Sequence, residues 1–248
     1  MERGGPLVSI IIPAYNAGTF LSEAVQSAVG QGCRPLEVII VDDGSTDRTA
    51  QVATGLGEPV RYVHQTNAGP AAARNRGLGM ARGDVIAFLD ADDLWADGAL
   101  EVQIACLAAN AQADIAQGLT QLFRLTEPEG ARRFQPFGEP WHLMSLGAAA
   151  VRRAVFDKVG LFDEGMRSAE DLDWFLRAKE AGVALVRHQR VVLQYRLHGE
   201  NVTRQKAWRD AHLAAAFKKS LDRRRRKGGD SALLSPCFSG DEEARGVP

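Results

Sequence analysis

The chain has 248 residues, 45% hydrophobic and 25% charged, with 30 Lys and Arg against 31 Asp and Glu and a formal net charge of −1. This is an ordinary globular composition, able to bury the core of one large or two modest domains, and its balanced charge gives no reason to expect nucleic acid as a partner. Three cysteines, Cys33, Cys106 and Cys237, are too few and too scattered for a disulfide framework or a zinc site.

No stretch reaches the roughly 18 apolar residues that a transmembrane span needs. The first residues lack a basic segment leading into an apolar core. A soluble, reduced, cytoplasmic setting is expected, with peripheral association at the inner face of a membrane left open.

Elements alternate through the first half. Residues 7–12 read as a buried strand stopped by Pro13. Leu21, Ala24, Val25, Ala28 and Val29 recur at helical spacing, with Asn16 or Thr19 as cap. Residues 37–41 form a second strand, 42–47 a turn into a second helix, and 60–64 a third, weaker strand. Pro70 suits the first turn of a helix running to about residue 81, with Gly83 just past its end. Residues 85–89 follow as a short apolar strand. The rhythm predicts an α/β fold, a mostly parallel central sheet flanked by helices.

The second half is less regular. Residues 100–109 are helical, 115–125 one or two strands, and 127–141 a loop rich in Pro, Gly and Arg. Residues 146–159 hold a short strand and a helix, 170–181 a helix closed by Gly182, and 183–195 a strand. Leu213, Phe217 and Leu221 form a last apolar stripe ahead of the basic run 223–227. That run suits a solvated helix end, or contact with anionic lipid or a peptide, and the segment beyond it reads as disordered tail.

The most informative feature is the exit of the strand at residues 85–89 into Asp90-Ala91-Asp92-Asp93. Carboxylates crowded at a buried strand's end must be hydrated, paired or bound to a cation. Open α/β sheets bind ligands at the carboxyl ends of their strands, so an Asp-x-Asp there is suited to hold a divalent ion against a diphosphate.

The other polar turns fall on the same rim: Pro13-Ala14-Tyr15-Asn16, Asp42-Asp43-Gly44-Ser45 and Asn67-Ala68-Gly69-Pro70. Tyr15 and Asp42 could supply wall and edge for a base, Asp90 an acceptor for a ribose, and Asp92 with metal, plus Arg74, the contacts of a diphosphate. Each has a plainer reading. Asp43, Ser45 and Asp47 also suit a helix entrance, Tyr15 a packing position, and Arg74 and Arg76 a solvated surface. No GxGxxG follows a strand and no GxxxxGK[ST] occurs.

The blocks Val8-Ser-Ile-Ile-Ile-Pro-Ala-Tyr-Asn16, Val38-Ile-Ile-Val-Asp-Asp-Gly-Ser-Thr-Asp47, Asn67-Ala-Gly-Pro-Ala-Ala-Ala-Arg-Asn-Arg-Gly77 and Gly83-Asp-Val-Ile-Ala-Phe-Leu-Asp-Ala-Asp-Asp93 closely resemble the family-2 glycosyltransferases. So do Gly160-Leu-Phe-Asp-Glu164, Glu170-Asp171 and Tyr195-Arg-Leu-His198, and the similarity runs from about residue 7 to 203. The resemblance implies a GT-A fold in a single domain over residues 1–222. Its nucleotide-sugar half would span 7–95 and its acceptor and catalytic half 96–222, with residues 223–248 outside as basic run and tail.

It also implies a nucleotide-sugar donor, most often UDP-linked, a Mg2+ or Mn2+ cofactor and inversion at the anomeric carbon. By position, the nucleotide set would comprise Pro13, Tyr15, Asp42, Asn67, Arg74, Asp90 and Ala91. Asp92 and His198 would serve the metal, and Asp171 of the Glu170-Asp171 pair would be the general base.

An ordinary Asp, with a pKa of about 3.9, is a weak base at neutral pH. Glu170, Asp173 and burial by Trp174 should raise it. Ser168-Ala169-Glu170-Asp171 equally fits a helix N-cap with acids in its first turn. His198 by itself reads as a strand-end histidine, and Trp174 as core or sugar platform. Arg132, Arg133, Phe134, Phe137, Trp141 and His142 would border the acceptor, whether glycan, lipid-linked, peptide or small molecule, or form an ordinary loop. A sugar nucleotidyltransferase and a non-catalytic nucleotide-sugar-binding protein are the rival readings. Oligomeric state is not legible.

Overall fold

The computed structural model describes residues 5–33, 35–126, 133–199 and 206–226. The expected tail, Arg132 and Lys227 lie outside them. The parallel half comprises β1 (Val8–Ala14), α1 (Leu21–Val29), β2 (Leu36–Asp42), α2 (Thr49–Thr54), β3 (Val60–His64), α3 (Pro70–Met80) and β4 (Val85–Phe88).

In β1, Ile10 and Ile12 face one helical layer with Leu21 and Val25, while Ile11 faces the other with Ala71 and Ala73. The period of two in a strand covered on both faces explains why these runs are continuously apolar. α3 lies unusually close to the sheet. A Cβ on Gly77 would stand 2.4 Å from Ile11 Cγ2, so only glycine lets the helix approach.

β1 does not stop at Pro13. Its pairing with β4 ends at Ile11–Phe88, whereas its pairing with β2 continues to Ala14–Asp42. Pro13 shares the side of Ile11, past the end of β4, so the missing N–H costs no ladder bond. Nor does Asn16 or Thr19 cap α1: Phe20 holds the cap position and makes no side-chain cap bond.

The sheet order is β3-β2-β1-β4, then β8 (Ala149–Arg152), β6 (Ile115–Thr126), β9 (Leu185–Leu197) and β5 (Leu94–Trp95), with β7 (Arg133–Trp141) paired to β6. The first four strands are parallel; β8 pairs antiparallel with both β4 and β6, and β9 runs parallel to β6. The chain winds outward from β1 to β3, then crosses back past β1 to β4. At such a reversal an open α/β sheet leaves a crevice outside its strands' carboxyl ends, here those of β1 and β4.

The remaining helices are α4 (Ala99–Ala109), α5 (Ala154–Val159), α6 (Glu170–Glu180) and α7 (Lys206–Arg226). No helix among the described residues is long and apolar enough to cross a membrane.

Two expectations for the second half are corrected. Residues 133–141, read as loop, form β7, because Pro136 and Pro140 are tolerated on a strand paired along one side only, and Gln121 Nε2 reaches the carbonyls of Phe137 and Gly138 at 3.1 and 3.0 Å. The basic run is not outside the domain up to Arg226. α7 continues through it, and Arg223 bonds Glu180 and Asp173 on α6, each at 2.8 Å.

Candidate active site

The turns after β1, β2, β3 and β4 meet at the crevice. After β1, half-buried Pro13 leads to Tyr15, 55% exposed, so its ring is not a packing residue and can offer a wall to a planar ligand. After β2, Asp42 is fully buried: Oδ1 accepts the Ser45 N–H at 2.9 Å and Oδ2 the Tyr62 hydroxyl at 2.8 Å. Burial, then the Asp42 carboxylate, pushes that phenol up to about 12. Asp42 thus shapes the rim with both oxygens already engaged.

Gly44, at φ 79, turns the chain where a Cβ would meet the Asn67 nitrogen at 2.8 Å. Exposed Asn67 donates through Nδ2 to the Asp43 carbonyl at 2.9 Å. Asp47 does serve the helix entrance, accepting the Thr49 N–H at 2.9 Å.

Asp43 instead clamps the approach to α3, accepting from the N–H groups of Ala68 and Gly69 at 2.9 and 2.8 Å and from Gln65 Nε2 at 2.7 Å. Asp43→Ala strands all three donors and should cost about 2–4 kcal/mol of stability. The expected result is a lower urea midpoint with unchanged slope.

After β4, Ala91 is buried in the turn, closed by the Asp93 N–H on the Asp90 carbonyl at 3.0 Å. Asp93 is buried too, and burial, followed by the charges of Asp92 and Asp90, raises its carboxyl well above the usual range. Asp92 points outward and its Oδ2 lies 3.1 Å from His198 Nε2.

Asp90 accepts from Arg74 at 2.7 Å; the same guanidinium, buried rather than solvated, also bonds Glu170. Arg74 therefore bridges the turn after β4 to the start of α6. Glu170, expected in the catalytic pair, is buried in this bridge with Oε1 on Arg74. Asp171 beside it is only partly buried, with Oδ1 on its neighbour's N–H, Leu172, at 2.7 Å.

Burial first and the Glu170 carboxylate second push the Asp171 carboxyl up to about 7, against the downward pull of Arg74 and the Leu172 N–H. Asp173 was expected to contribute to that rise. It is held between Arg177 and Arg223 at 2.9 and 2.8 Å, so its charge is satisfied within the helix pair. The N-cap reading holds in part: Glu170, Asp171 and Asp173 lie in the first turn of α6, but Ala169 occupies the cap at φ 58 and makes no side-chain bond.

A sequence profile described as Glycosyl transferase family 2 matches residues 9–160. The chain belongs to glycosyl transferase family 2. The Bacillus subtilis protein named Uncharacterized glycosyltransferase EpsJ is 32% identical over 193 residues, 70% of this chain and 56% of EpsJ. A glycosyltransferase of Haemophilus influenzae is 42% identical over 109 residues, 42% of this chain and 44% of its own length. The Rickettsia typhi glycosyltransferase RT0329 is 28% identical over 211 residues, 80% of this chain and 66% of its own length.

The chain thus spans between 44% and 66% of the length of these relatives. The crystal structure of S. aureus TarS 1-349 in complex with UDP superposes with a TM-score of 0.65 at 21% identity, covering 92% of this chain and 76% of that one. Its complex with UDP-GlcNAc gives 0.66. The likeness shows the fold, GT-A.

In this family member a divalent ion would find two converging protein donors, the Asp92 carboxylate and the His198 imidazole. Among the described residues no group of three or more His, Cys, Asp or Glu is arranged to hold a metal unaided. Two donors fit Mg2+ or Mn2+ all the same, since such ions keep waters and take substrate phosphate oxygens.

Trp174 is not on the acceptor side. It is fully buried, stacks on Phe156 at 4.9 Å and donates to the Gly160 carbonyl at 3.0 Å, which leaves no ring face for a sugar. Trp141, at the end of β7, remains 38% exposed.

Sequence reasoning assigned no role to Arg196 or Glu23, although both reach the acidic turn's surroundings. The available signal was the pair Arg196 and His198, two apart at the end of a strand and so directed to one face.

Proposed function

We propose that the chain is an inverting glycosyltransferase that moves one sugar from a UDP-linked donor to an acceptor hydroxyl. The observation that carries this reading is the approach of Asp92 to His198 at 3.1 Å, across 106 residues of sequence, on the rim that also bears Asp90 and, through Arg74, Asp171. TarS complexes with UDP and UDP-GlcNAc support the choice of donor.

In this reading Tyr15 covers the base, and Asp42, through its bonds to Ser45 and Tyr62, shapes the rim on which the base edge lies. Asp90 accepts from the ribose. Asp92 and His198 would hold a Mg2+ or Mn2+ ion, which when bound supplies positive charge against the departing diphosphate. Asp171 accepts the acceptor's proton as its oxygen bonds to the anomeric carbon from the face opposite the leaving group. The sugar–phosphate C–O bond breaks and the diphosphate leaves with that electron pair. Trp141 borders the acceptor. Arg74 keeps the donor turn and the base in one frame.

The test is UDP release and product mass with UDP-glucose, UDP-N-acetylglucosamine and UDP-galactose against a panel of glycan, lipid-linked and peptide acceptors. Release should stop with EDTA and return with Mn2+. Consumption of a nucleoside triphosphate with pyrophosphate release would replace this reading with nucleotidyl transfer.

A further inference from the structure

Arg196 is 1% exposed, so its guanidinium depends on the protein groups packed around it. Its Nε donates to the Asp92 carbonyl and one terminal nitrogen to the Glu23 carboxylate on α1, while its own backbone N–H donates to Asp93 Oδ1 at 2.8 Å. The rings of Phe20 and Phe134 cover it, with centroids 5.0 and 5.1 Å from the guanidinium carbon.

This grip follows from register. β5 pairs antiparallel with β9 as Leu94–Gln194, and continuing that register by two residues sets Arg196 opposite Asp92. His198 lies two further along the chain, on the same side, with its ring 4.5 Å from Phe20. Asp92 is thus held twice by one segment: its carbonyl by Arg196 and its carboxylate by His198.

We propose that Arg196 is a positioning residue for the cation site, fixing the backbone of the aspartate turn so that the Asp92 carboxylate and His198 converge on one ion. This rests on the assignment of those two residues to a divalent metal. The guanidinium serves the carbonyl of Asp92 and the carboxylate of Glu23 in two directions of one plane. An ammonium in its place cannot reproduce that fork.

The test uses the full chain with Mn2+ and UDP. Arg196→Lys should raise the Mn2+ dissociation constant at saturating UDP at least tenfold by electron paramagnetic resonance, and the KM for Mn2+ in step. UDP affinity in EDTA should stay within twofold. A merely structural role would lower the metal-free UDP affinity to the same extent.

Glu23→Ala, at a side chain 60% exposed, decides the matter should the lysine variant not fold; it should weaken Mn2+ binding about threefold. Wild-type Mn2+ affinity in Glu23→Ala and in folded Arg196→Lys overturns the positioning role alone. A wild-type protein that binds no Mn2+ in the presence of UDP overturns the metal assignment, and the positioning role with it.

Discussion

Asp171→Asn should lower kcat by about 10²–10⁴-fold, the range general-base catalysis supplies, while the folded protein and its UDP affinity stay as in the wild type. The substitution preserves shape and an oxygen acceptor for the Leu172 N–H, so the start of α6 keeps its local bond. Ala169 holds the cap itself, so loss of the Asp171 charge from the first turn should cost only about 0.3–1 kcal/mol of stability. What disappears is a basic oxygen on a group that burial and Glu170 push up to about 7.

The sign of the pH dependence follows. A base works deprotonated, and a raised pKa delays deprotonation, so kcat/KM should climb as pH rises through about 7 and level off above it. Glu170→Gln removes the charge that opposes ionisation of Asp171 and frees more of the Arg74 field to favour it, so the acid limb should move to lower pH. Near wild-type kcat in a folded Asp171→Asn protein would remove Asp171 from the chemistry.

The parallel half was legible because each short apolar run ends in a turn, and parallel strands put all those turns on one rim. Asp90 to Asp93 could be read as a site for the same reason: the crowded charge needed an explanation that local structure did not offer. Arg74 was not legible as a bridge. Its partners, Asp90 and Glu170, are 16 and 96 residues away, and nothing in a helix running Ala-Ala-Ala-Arg says which way the side chain turns.

Trp174, readable as core or as sugar platform, is decided for core by packing that the sequence does not show. α6 is covered on two faces, by Trp174, Phe175 and Ala178 toward the sheet and by Leu172 and Leu176 toward Ala216 of α7, so an aromatic near the base was core rather than platform. β7 was hidden by its prolines, which forbid a central strand but not one at the edge.

Asp92→Ala should remove metal-dependent binding of UDP and reduce transfer by about 10²–10⁴-fold, the equivalent of the several kcal/mol that metal charge gives a leaving diphosphate. The turn itself should survive. Arg196 grips the main-chain carbonyl of Asp92 and the side chain of Asp93, and truncating the Asp92 carboxylate touches neither bond.

The fold-level consequence is therefore the opposite of Asp43→Ala, where a carboxylate serving buried donors is lost and stability falls with it. Calorimetry with UDP separates the two. Wild type should bind more tightly with Mn2+ than in EDTA, Asp92→Ala should bind equally weakly in both, and its urea midpoint should match wild type. Equal UDP affinity of the wild type with and without EDTA would show that the pair formed by Asp92 and His198 holds no ion that the donor uses.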